Sequence, residues 1–77
     1  MKYKQERMEC TPKDVLDFLV GETGRISLEY GGFLIEVYDS LGFPWSAVIR
    51  TLLRFNHEIW IESRDERIVI LSKPKAD

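Results

Sequence analysis

The stretch VYDSLGFPWSAVIRTLLRF, Val37 to Phe55, admits two readings, and the fold follows from the choice between them. Its second part, PWSAVIRTLLRF, reads as a helix. Pro44 suits a helix start, Val48, Leu52 and Phe55 recur on one side, and Asn56 can take the left-handed stop. The part before Gly42 is ambiguous. As a helix, Phe33, Leu34, Val37, Tyr38 and Leu41 line one face, with Glu36, Asp39 and Ser40 opposite. As a strand, Phe33, Ile35 and Val37 share a face. With Gly31-Gly32 as a two-residue turn, they then pair with Tyr30, Leu28 and Ile26. Periodicity does not separate the two.

Upstream, TPKDVLDFLVGETG predicts a helix. Thr11 is a good N-cap, Pro12 suits the first helical position, and Asp14 sits where the helix dipole favours a carboxylate. Val15, Leu16, Phe18, Leu19 and Val20 give a broad apolar face, and Gly21 or Gly24 can end it. RISLEY then alternates like a strand. Downstream, HEIWIE and RIVILS alternate around SRDE, which predicts a β-hairpin with a charged tip. The chain divides into a polar N-terminal segment, 1–10, one domain, 11–73, and a frayed tail, 74–77. A weak echo at a spacing of 33 matches Val15 with Val48, Leu19 with Leu52 and Ile26 with Ile59. It supports a helix-hairpin unit used twice.

The segment LGFPWSAVIRTLLRF resembles the second and third helices of the winged helix-turn-helix DNA-binding regulators. Gly42 stands at the corner, Leu41 and Phe43 flank it, and Val48, Leu52 and Phe55 take the buried positions. The flanking helix, short strand and hairpin match that family over roughly residues 11 to 73. The resemblance implies an α+β winged helix-turn-helix fold in the order helix-strand-helix-helix-hairpin. The alternative is helix-hairpin-helix-hairpin with one four-stranded antiparallel sheet. The first implies sequence-specific binding of double-stranded DNA by a small transcriptional regulator, acting as a homodimer. The second implies a protein–protein interaction module, or a small inhibitor or adaptor, that binds no DNA.

Under the DNA reading, Ser46 and Arg50 reach base edges, Trp45 packs on the backbone, and Arg54 contacts phosphate. Arg64 and Arg67 serve as a wing reaching phosphates or the minor groove. Trp45 is equally suited to a structural role, and Asp65 and Glu66 can neutralise the hairpin tip. Trp60, Val69 and Leu71 fall on the less buried face of the last hairpin. With the N-terminal segment they offer a dimer surface.

The bulk properties restrict the alternatives. Seventy-seven residues make one small, marginal core. The net charge is −2, which lacks the basic footprint usual for a nucleic-acid binder. Charge is not evenly spread: residues 1–38 hold five basic and seven acidic side chains, whereas 39–77 hold six of each. Cys10 is the single cysteine, so no internal disulfide and no CxxC metal pair exist, which suits a cytoplasmic protein. No apolar run is long enough to span a membrane, and the N-terminus lacks a secretory apolar core. His57 is the only histidine and reads as a cap at the helix end. Glu58, Glu62, Asp65 and Glu66 read as solvated hairpin positions. No P-loop, dinucleotide fingerprint, HExxH or GxSxG is present, so the expectation is a non-enzyme without cofactor or metal.

Overall fold

The computed structural model describes residues 11–29 and 31–76. The elements are α1 (Pro12–Val20), β1 (Gly24–Glu29), β2 (Gly32–Val37), α2 (Trp45–Arg54), β3 (His57–Arg64) and β4 (Arg67–Pro74). The four strands form one antiparallel sheet in the order β1-β2-β4-β3. The protein is therefore α+β, with two helices and a four-stranded antiparallel sheet. The polar segment 1–10 and the pairing expected of Tyr30 lie outside the described residues.

α1 begins as its sequence predicts. Thr11 accepts from the Asp14 amide, and the Asp14 carboxylate accepts from the Thr11 amide, closing a capping box. Lys13 and Asp17 form an exposed ion pair one turn apart. Gly21, at φ 52°, ends the helix. α2 starts after Pro44 without a side-chain cap, and Asn56 takes the left-handed conformation at φ 63°.

The helix expected over Phe33–Leu41 is not formed. Its first part is β2, a central strand paired with β1 on one side and β4 on the other. Pairing on both edges satisfies its backbone groups, which a buried segment must achieve. The element order is accordingly helix-hairpin-helix-hairpin and not helix-strand-helix-helix-hairpin. The first hairpin also differs in register from the Gly31-Gly32 turn. Leu28 faces Phe33, Ile26 faces Ile35 and Gly24 faces Val37. Gly31, at φ 83°, makes the turn, while Gly32 is buried within the strand. A Cβ on Gly32 would collide with the Ser72 carbonyl oxygen, so β4 crosses too close for a side chain.

Both helices lie on one face of the sheet. Leu16 and Val20 of α1 and Val48 and Leu52 of α2 pack on Phe33, Ile35, Val37 and Ile70. Leu16, Ile35, Val48, Leu52 and Ile70 are fully buried. Each such side chain stabilises the fold by roughly 1.5–3 kcal/mol relative to exposure. The loop from Tyr38 to Pro44 is tied down at both ends. The Tyr38 and Asp39 amides donate to the Thr23 carbonyl, and the Gly42 amide donates to the Asp39 carboxylate. Gly42 is not at positive φ, so it does not make the corner expected of a helix-turn-helix.

Candidate functional site

The strand register sorts the side chains onto two faces. Facing the helices is the row Ile26–Ile35–Ile70–Ile61. On the other face runs the row Ser27–Leu34–Leu71–Trp60, and next to it Arg25–Glu36–Val69–Glu62. No described helix covers this second face. Leu34 and Val69, on the two central strands, are buried, whereas Trp60 on edge strand β3 is 46 % exposed. Trp60, Val69 and Leu71 thus share the face expected of them, though Val69 is not exposed.

The six residues read as DNA contacts do not converge. Ser46, Arg50 and Arg54 are exposed on α2, with Ser46, Arg50 and Leu53 at helical spacing on its outward side. Trp45 and Ile49 turn inward and pack partly buried against the core. The Trp45 indole N–H donates to the Ser40 carbonyl at 2.9 Å, and its ring meets Phe43 edge-on, centroids 4.8 Å apart. That structural role anchors the loop before α2.

Arg64 and Arg67 face each other at the tip of the second hairpin, on strand positions belonging to the face opposite the described helices. The sheet and the helix layer therefore separate them from Arg50. Arg64 donates to Glu62 at 3.0 Å, and the Arg67 guanidinium lies 4.8 Å from the centre of the Tyr38 ring. Arg67 and Tyr38, with Val37, Ser40, Glu66 and Ile68, line a hollow of about 300 Å³.

His57 is not a helix cap. It is 5 % exposed, its ring stacks on Phe33 at 5.4 Å, and its Nδ1 lies 3.0 Å from the Ser72 hydroxyl. The tautomer decides which of the two donates. Burial lowers the His57 pKa below its ordinary value of 6.5. A serine beside a histidine is a nucleophile–base pairing in outline. Here Ser72 is itself buried at 5 % exposure, so its hydroxyl is closed to a substrate. The sequence hides this pair because the two residues meet only through the β3–β4 register. Among the described residues no group of three or more His, Cys, Asp or Glu is placed to hold a metal ion. No described helix is long and apolar enough to cross a membrane.

Comparison with protein-family models, with curated proteins and with solved structures finds no match.

Proposed function

We propose that this protein is a protein–protein interaction module that docks a partner protein on the face of its sheet that no described helix covers. The observation that carries this reading is the row Leu34–Leu71–Trp60, with a half-exposed tryptophan beside a partly buried and a buried leucine. Tryptophan supplies a large apolar area with a polar N–H, the pattern of an interface anchor. Charges of both signs rim the row: Arg25, Glu36, Glu62 and Lys73 lie on the same face. A mixed polar rim around an apolar centre suits a protein surface better than a polyanion.

The net charge of −2 supports the same reading. So does the placement of Arg50 on the helix layer, with Arg64 and Arg67 on the opposite face of the sheet. The test is site-directed photo-crosslinking in cells, with the reactive side chain at Trp60, Leu71 or, as a control on the helix layer, Phe18. The reading expects one discrete adduct from positions 60 and 71 and none from 18. Fluorescence anisotropy with duplex DNA supplies the contrary arm. Tight binding that falls steeply with salt and is lost in Arg50→Ala would replace the reading with a DNA-binding one.

A further inference from the structure

We infer that β3 is a pairing edge for a second copy of this chain, joining two four-stranded sheets into one of eight strands. This inference goes beyond the docking face above; its strand and charge arguments stand on the edge itself, and only the argument from area rests on that reading.

β3 is at the end of the sheet, so among the described residues its outer edge has no partner strand. Its residues, HEIWIESR, contain neither proline nor glycine. They pair one-to-one with β4 from His57–Pro74 to Arg64–Arg67, without a bulge. Natural edges are blunted by very short length, charged side chains, proline, bulges or a covering element. β3 is long and has no proline or bulge; it carries charge at Glu58, Glu62 and Arg64, and it exposes apolar side chains on both of its faces: Trp60 at 46 % and Ile61 at 59 %.

The charges select the partner and the register. Two copies related by a two-fold axis perpendicular to the sheet pair their edges antiparallel and keep all four helices on one side. Residues of the same face then meet, so only registers two residues apart are allowed. When Ile61 faces its own copy, Glu58 faces Arg64, Trp60 faces Glu62 and Ile59 faces Ser63. Both ends of the junction then carry opposite charges. A slip of two residues one way sets Glu58 against Glu62. The slip the other way sets Glu62 against Glu62. Like charges directly opposite destabilise a strand pair, so the Ile61-centred register is favoured over both of its nearest neighbours, and longer slips pair fewer residues of β3.

The size of the sheet points the same way. Four strands of six to eight residues present roughly 400–500 Å² of face at ordinary strand spacing and rise. A stable protein interface uses about 800 Å² per partner. Two sheets joined through β3 supply that area as one continuous surface.

The decisive experiment is sedimentation equilibrium of the full chain and four variants, with circular dichroism confirming that each is folded. The wild type is expected to dimerise at concentrations on the order of 10 μM. Ile61→Lys, at a position exposed in the single chain, should be a folded monomer. Glu58→Arg and Arg64→Glu should each weaken dimerisation at least about tenfold, and the double exchange should restore it. The restoration is a readout that a merely structural role of either residue would not give. Three results overturn the inference: a wild type that stays monomeric at ten times that concentration, charge variants that dimerise like the wild type, or a dimer that survives Ile61→Lys. In the last case, loss of the dimer in Leu71→Glu would show copies meeting face to face.

Discussion

The two halves of the molecule have the same plan and differ at their outer strands. Each runs helix, strand, strand, and β2 and β4 meet in the middle of the sheet. The helices start 33 residues apart, at Pro12 and Trp45. The hairpin turns are 35 apart, since Glu29 and Gly32 correspond to Arg64 and Arg67. A half-turn about the Ile35–Ile70 pair carries Ile26 onto Ile61. Ile26 is partly buried against the core, while Ile61 is 59 % exposed. The first hairpin is short and glycine-turned, with strands of six residues; the second has strands of eight. The lesson is that equivalent positions in a repeated plan need not have equivalent roles. Ile26 helps close the core, whereas its counterpart Ile61 lies past it.

The largest break in that comparison comes at Gly32 and its counterpart Arg67. Gly32→Ala should cost about 3 kcal/mol or more, because the new Cβ meets the Ser72 and Lys73 backbone, which cannot yield as a flexible side chain can. Arg67→Ala should cost at most about 1 kcal/mol, the value of its exposed stacking on Tyr38. Urea unfolding of both variants checks the contrast, and equal losses would refute the close crossing of β2 and β4.

The helices differ in their starts. Thr11→Ala should lower stability by about 1 kcal/mol through loss of the capping box. The start of α2 has no side-chain cap to lose, so Ser46→Ala should change thermal unfolding by less than about 0.5 kcal/mol.

The turns differ in sign. Gly31 is at positive φ without strain, whereas Asp65 and Glu66 hold φ values of 52° and 65° as ordinary residues. Glu66→Gly should therefore raise the stability in urea unfolding, by up to about 1 kcal/mol, and Gly31→Ala should lower it by a similar amount.

The smallest effect belongs to His57. Its folded pKa is depressed by burial, so the unfolded chain binds the proton more readily. Its contribution is complete above the unfolded value near 6.5 and is lost as pH falls from there through the lower folded value. Denaturant titrations between those limits should show stability falling with pH, and His57→Gln should flatten that slope.

Much of the fold was legible in the sequence. The Thr11 cap of α1, the left-handed Asn56 and the charged tip of the second hairpin each rest on a few adjacent residues. The segment Phe33–Val37 was not legible, for a physical reason. Phe33 and Ile35 are buried on the helix side and Leu34 on the other, so a central strand buried on both faces loses the alternation that marks a strand. The same continuous apolar run fits a helix. The site was less legible than the fold. Placement of Arg50 and Arg64 on opposite sides, the inward turn of Trp45 and the His57–Ser72 contact all depend on register across distant strands. Trp60 and Leu71 were readable because the second hairpin keeps its alternation.

The most direct test is the backbone NMR assignment of residues 24 to 41 with cross-strand NOEs. Extended shifts for Phe33 through Val37, with contacts from Ile35 to both Ile26 and Ile70, are the predicted result. Helical shifts running from Phe33 to Leu41, without those contacts, would contradict the sheet and restore the helix-turn-helix.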